Sequence, residues 1–269
     1  MVKVLVFDTE MTGLPPEELN FNKPDAWPFI IQLGYILYDT ETNSVKIFNK
    51  YIDIPDDVII TKGSIAVHHI TKEKIANVPP ENRATIKDAL NEFFQVIKQA
   101  DIVVGHHVIY DRKIVIAELL RLSEKNNSPQ IQYMMDNNNF ECTMTKTKNI
   151  CNLKYKDKNG KYKIKRPKLL EAYKYFFGNT LNEKKLHNAL VDAVVCLRVF
   201  CKYKYSIDIC EKNPIITNYI KQISHKKYKC PKSKMLNKSK MLNKSKMLNK
   251  SKKFKKNKTS KKTRKSKKY

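Results

Sequence analysis

From Lys226 to Tyr269 the chain carries 21 Lys and Arg residues and not a single Asp or Glu, and this confines any folded core to the residues before it. Part of the segment is a repeat. Lys-Ser-Lys-Met-Leu-Asn begins at Lys232, Lys238 and Lys244, and a broken fourth copy begins at Lys250. A period of six matches neither a heptad nor the stripe of an amphipathic helix, and one Met-Leu pair per repeat cannot offset the entropy of ordering it. Residues 226–269 are therefore expected to form a disordered basic tail. The other 32 of the 53 basic residues and all 26 acidic ones lie in the first 225, so the body is only mildly basic.

Such a tail points to a polyanionic partner, nucleic acid first and an acidic membrane surface second. Of the basic residues 47 are Lys and 6 are Arg. Lys is a compact point charge without the planar fork of Arg, which suits diffuse attraction to phosphate rather than bidentate reading of bases. No apolar run reaches the ~18 residues needed to cross a bilayer. Met1-Val2-Lys3 leads straight into a strand-like run, not a signal peptide. Cys142, Cys151, Cys196, Cys201, Cys210 and Cys230 form no Cys-x-x-Cys pair, so no zinc site is signalled and free thiols are expected. These features describe a soluble intracellular protein without a membrane partner.

The body reads as one α/β domain over residues 1–205, followed by a linker or terminal helix over 206–225. Val2 to Phe7 is a short Val-rich run that predicts a buried strand, with Asp8 at its C-terminal end. Phe29–Tyr38 and Val45–Ile52 predict two more strands joined by the polar stretch Asp39–Ser44. Thr71 is placed to cap a short helix. Thr85–Gln99 has its apolar residues at helical spacing, Ile102–Val104 is a fourth strand, and Asp111–Leu122 is again helical. Asn126–Asn139 and the Lys/Tyr-dense Lys154–Lys168 read as exposed loops, and Phe140–Ile150 is ambiguous. Leu169–Phe177 and Ala189–Tyr203 read as helices. Strands first, then strands and helices alternating, give layers around a mixed sheet.

Asp8 and Glu10 stand two apart at a strand end and so face the same side. Carboxylates converging there repel each other unless a cation lies between them, which is the all-oxygen chemistry of Mg²⁺ or Mn²⁺. Asp111 opens a helix, where the dipole favours an acid. His187 and Asp192 are five apart, about 500° of helical rotation, and would point roughly 140° away from each other if both were helical. They converge only if His187 precedes the helix and Asp192 lies in its early turns. Taken singly, each of these features is ordinary in a structural role.

Together they are more specific. Asp8-Thr9-Glu10, then Gly105-His106-His107-Val108-Ile109-Tyr110-Asp111, then His187-x4-Asp192 resembles the three motifs of the DEDD exonuclease superfamily. The histidine five residues before the last aspartate matches its DEDDh subgroup, which includes the proofreading epsilon subunit of bacterial replicative polymerase, RNase T and exonuclease X. Val6-Phe7-Asp8-Thr9-Glu10 with Thr12-Gly13-Leu14, Ile30-Ile31-Gln32-Leu33-Gly34 and Val67-His68-His69-Ile70-Thr71 agree with it, over about Val2 to Val199. The chain departs from the family pattern at Met11 (usually Thr), His107 (usually Asn) and His69 (often Gly), none of which is a metal ligand.

The resemblance implies an RNase H-like fold with a mixed five-stranded sheet flanked by helices. It implies two divalent cations, Mg²⁺ or Mn²⁺, held by Asp8, Glu10, Asp111 and Asp192, with Asp8 bridging and His187 as general base. It also implies 3′→5′ removal of nucleoside 5′-monophosphates from single-stranded ends, DNA ahead of RNA, with any polymerase partner held in trans. Met11, Thr12, Gly13, Leu14, His69 and His107 would then lie against the terminal nucleotide. Two other functions fit the same residues: a 3′→5′ exoribonuclease, and a nucleic-acid-binding protein with a vestigial nuclease site.

Overall fold

The computed structural model describes residues 2–16, 20, 22–123, 128–136, 139–178 and 181–224. The Lys-rich tail and the disorder expected of it lie outside these residues, as does Cys230. In chain order the elements are β1 (Lys3–Met11), β2 (Ile30–Asp39), β3 (Val45–Asp53), α1 (Lys62–His68), α2 (Lys72–Ala76), β4 (Arg83–Thr85), α3 (Ile86–Ile97), β5 (Ile102–Gly105) and α4 (Ile109–Leu122). Then follow α5 (Pro129–Met135), β6 (Phe140–Cys142), α6 (Thr143–Cys151), β7 (Lys154–Lys156), β8 (Tyr162–Ile164), α7 (Leu169–Phe177), α8 (Ala189–Tyr205) and α9 (Pro214–Ile223).

The main sheet has the order β4-β3-β2-β1-β5-β6. β1–β2 and β2–β3 are antiparallel, whereas β1–β5, β3–β4 and β5–β6 are parallel. The sheet is mixed, as expected, but holds six strands where five were expected. β4, three residues paired to the end of β3, is too short to show a period of its own.

Alternation along β1 sorts the core into two layers. Leu5 and Phe7 face α3 and α4, packing with Phe93 and Ile114. Val4 and Val6 face α8, packing with Ala193, Val194 and Leu197, and the same layer takes in α7 and α9. Each fully buried Val, Leu or Phe contributes about 1.5–3 kcal/mol against the entropy of folding. β1 lies between β2 and β5, so its C-terminal end is covered by helices on both sides. No described helix is long and apolar enough to cross a membrane.

Two expected loops contain regular structure. Within Asn126–Asn139 the described part is mostly α5: the Ser128 side chain caps it, Pro129 occupies the first turn, and Ile131 and Met134, one turn apart, are buried. Polar residues outnumber apolar ones in that stretch, so the two buried positions gave no visible period. Lys154–Lys168 is exposed as expected but contains the β7–β8 hairpin. The ambiguous Phe140–Ile150 divides into β6 and most of α6.

Candidate active site

The even-numbered face of β1 carries Val4 and Val6 towards α8, and period two continues it to Asp8 and Glu10. There the core ends and the first turn of α8 begins. Gly34 of β2 stands opposite Asp8 in the sheet, and a Cβ on Gly34 would lie 2.3 Å from the backbone nitrogen of Leu190. Only a residue without a side chain lets α8 come down at this point. Gln32, opposite Glu10 and fully buried, fixes the approach: its Oε1 accepts from the Ala189 N–H at 3.2 Å, and its Nε2 donates to Asn49 at 2.9 Å. Asn188 caps α8 by accepting from the Val191 N–H.

The result brings Asp8, Glu10 and Asp192 together, with one oxygen from each lying within 4.8 Å of the others. Asp192 Oδ2 accepts from the His187 N–H at 3.1 Å, while its Oδ1 is buried without a hydrogen-bond partner among the described residues. His187 does precede the helix, in the left-handed region at φ 59°, as the spacing required.

Thr9, on the odd face, points to α4. Its N–H and hydroxyl both donate to Asp111 Oδ1, at 3.1 and 2.8 Å, and fix the orientation of that carboxylate. Thr9 was quoted in the motif without a role; its position between two acids on the opposite face was the available signal.

Burial and mutual repulsion disfavour the charged forms of these carboxylates. Burial, then the charges of Asp111, Asp192 and Glu10, hold the Asp8 carboxyl well above the usual range. Burial followed by Asp192 and Asp111 lifts Glu10 to about 8. Burial lifts Asp192 to about 7 against the His187 N–H, and Asp111 to about 6 against the two bonds from Thr9. A hard, all-oxygen donor set with an orphaned buried oxygen is what a Mg²⁺ or Mn²⁺ ion needs, so these residues fit the divalent metal expected of them.

The other expected site residues lie at the end of β1, after α1 and β5, and before α8. His187 is solvent-exposed; partial desolvation lowers its pKa first, Glu183 opposes this, and His69 and Lys168 add to it. His69 therefore stands near His187, at φ 56°. Its neighbour His68 is the structural one. The Ile70 N–H donates to His68 Nδ1 at 3.0 Å, which leaves Nε2 to donate to Met11 O at 3.2 Å. Thr12 is a latch: its N–H donates to Phe29 O, its hydroxyl accepts from the Phe29 N–H, and its carbonyl accepts from the Thr61 N–H. The buried Glu118 side chain accepts from the Ile30 N–H at 2.7 Å and pairs with Arg121 at 2.9 Å, bracing the same segment. Leu14, 93% exposed, is the open side chain of this loop, and Gly13 sits beside it. His107, at φ 77°, lies edge-on to Tyr110 at 4.4 Å. Burial followed by the charge of Arg166 lowers its pKa.

A family profile described as the RNase T exonuclease family matches residues 5–200, which include every residue of this cluster. The chain belongs to that exonuclease family. Among solved structures, the chain is similar to a 3′-exonuclease in a structure of 3′-end-specific recognition of histone mRNA stem-loop. The TM-score is 0.54 at 14% identity, over 77% of this chain and 65% of that one. A full-length 3′-exonuclease gives a TM-score of 0.52 at 14% identity, over 77% and 62%. The chain thus spans less than two thirds of both, and at this identity the likeness is one of fold. No curated protein matches it significantly.

Gly34→Ala tests how the site is assembled. The new methyl must displace the start of α8, at a cost of about 1–3 kcal/mol for overpacking. The expected outcome is a lower Tm together with a loss of nuclease activity at temperatures where the variant is still folded. Unchanged activity would show that α8 can shift without moving Asp192.

Proposed function

We propose that the chain is a metal-dependent 3′→5′ exonuclease that releases nucleoside 5′-monophosphates one at a time from single-stranded nucleic-acid ends. The observation that carries this reading is the convergence of Asp8, Glu10 and Asp192, with the Asp192 oxygen left buried and unpartnered. Asp8, Glu10 and Asp192 would hold one divalent cation, and Asp111 with Asp8 would hold a second. Such cations, when bound, offset the charge on the phosphate and on the leaving 3′-oxygen.

The protein's own groups supply the rest. His187 takes a proton from the attacking water as its oxygen bonds to phosphorus, and the bond from phosphorus to the 3′-oxygen breaks. The 3′-oxygen takes up a proton and becomes the new end of the strand. Leu14 and the adjoining backbone, held by Thr12 and His68, form the apolar edge against which the terminal nucleotide rests. His69 and His107 would complete the contacts to that nucleotide. DNA is the first substrate proposed, and RNA the second reading, supported by the 3′-exonuclease of similar fold that recognises an RNA stem-loop. The test uses matched DNA and RNA oligomers labelled at either end. A 3′ label freed at once as a mononucleotide, before the 5′ label shortens to the same size, is the expected result. First release of the 5′ label would contradict the polarity.

The tail is proposed to bind the same polyanion. Deleting residues 226–269 should leave kcat at saturating substrate near wild type and raise KM at moderate salt. Each phosphate no longer neutralised should flatten the log–log salt slope by about 0.7 on single strands. Equal KM and equal slope for both proteins would exclude the tail from substrate binding.

A further inference from the structure

The β7–β8 hairpin is closed by its own hydrogen bonds and contributes no buried residue to the core among the described residues. Tyr155 pairs with Lys163 and Lys156 with Tyr162 across it. Its connection is closed by Asp157, whose Oδ1 accepts from the Asn159 and Lys161 N–H groups, both at 3.0 Å, and by Gly160 at φ 75°. Lys163 is neutralised by Asp157 at 2.9 Å. Yet all six strand residues are exposed on both faces. A two-stranded hairpin of this kind is marginal in water without something to pack on.

Its two faces differ. Lys154, Lys156, Tyr162 and Ile164 share one, and Lys156 Nζ lies 5.4 Å from the Tyr162 ring centroid. Neither lysine has a carboxylate partner among the described residues, and Tyr162 is 69% exposed. The chain runs from this face directly towards the active site. Lys165 N–H donates back to Leu153 O at the hairpin's base. The Pro167 carbonyl accepts from His106 Nε2 at 3.0 Å, and the charges of Arg166 and Lys168 act on His107 and His187.

We propose that this face of the hairpin receives the single strand upstream of the nucleotide being removed, its lysines on phosphates and Tyr162 stacked on an unpaired base. The proposal rests on the nuclease reading above. Cations interleaved with an exposed ring fit a strand whose backbone is anionic and whose bases are free.

The test compares the full-length chain with its Lys154→Glu/Lys156→Glu and Tyr162→Ala variants, on a trinucleotide and on an oligomer of about 20 nucleotides. Because the hairpin buries no core residue, these variants should fold. For the long oligomer, the double variant should raise KM about tenfold and flatten the salt slope by about 1.4, two phosphates' worth. The kcat, and both constants on the trinucleotide, should stay near wild type. A 5-iodouridine oligomer should photo-cross-link to the peptide carrying Tyr162. Unchanged KM on the long oligomer, or an equal rise at both lengths, would overturn the proposal while leaving the nuclease reading intact. Cross-linking through the hairpin by a wild-type protein that cuts neither oligomer would overturn the nuclease reading and keep the hairpin as a binding surface.

Discussion

Asp8→Ala should lower kcat on the order of 10³-fold or more, about 4 kcal/mol of transition-state stabilisation, while the protein stays folded. Asp8 is the residue that the other three carboxylates surround, and the charges of Asp111, Asp192 and Glu10 all act on it. Its removal takes away the oxygen donors common to both proposed cation sites. The same crowding makes a second expectation. Burial and repulsion raise these carboxyls in the folded state above their unfolded values near ~4. The metal-free fold is then most stable where they keep their protons, and loses stability as pH rises through about 6 for Asp111, about 7 for Asp192 and about 8 for Glu10. Asp8→Ala relieves part of that repulsion. In EDTA at alkaline pH its Tm should exceed that of wild type, at about 2–4 °C per kcal/mol relieved. A purified Asp8→Ala protein that hydrolyses at the wild-type rate would remove the carboxylate cluster from the mechanism.

His187→Ala should lose roughly 10²–10⁴-fold in rate, the usual worth of a positioned general base. The structure adds a direction to its pH dependence. Partial desolvation, helped by His69 and Lys168 and opposed by Glu183, puts the imidazole pKa below its ordinary 6.5. A base works unprotonated, so wild-type activity should hold to below pH 6.5 and fall as pH drops through the lowered value. The variant should lack that limb. Its backbone N–H still reaches Asp192 Oδ2, so the carboxylate trio should survive the substitution. A variant that keeps both the rate and the acidic limb would make His187 a structural residue only.

The proposed site residues were legible through the resemblance of three short motifs to one family, and two periodicities said how they could converge. Period two along β1 put Asp8 and Glu10 on one face, and the arithmetic of the α-helix forced His187 out of α8. What brings Asp192 to them was not legible, because it depends on a contact between elements far apart in sequence. Gly34 and Gln32 stood in a recognised motif, but the descent of α8 onto Gly34 and the bond from Ala189 to Gln32 appear only when β2 and α8 are placed together. An isolated glycine inside a strand was the trace of that approach. Asp111 was expected among the metal ligands; Thr9 donates to its Oδ1 twice, and its charge acts on Asp8. Short, exposed elements escaped for another reason. β4, β7 and β8 have three residues each, and β7 and β8 have no fully buried residue, so neither hydrophobic alternation nor length marked them.

The most direct measurement of the central claim is a time course on a 5′-labelled single-stranded oligomer, run with wild type and Asp8→Ala in Mg²⁺, in Mn²⁺ and in EDTA. The account predicts a ladder shortening by single nucleotides with wild type in either metal, no ladder in EDTA, and none with Asp8→Ala in any condition. A wild-type ladder that persists in EDTA, or one that Asp8→Ala reproduces, would contradict it.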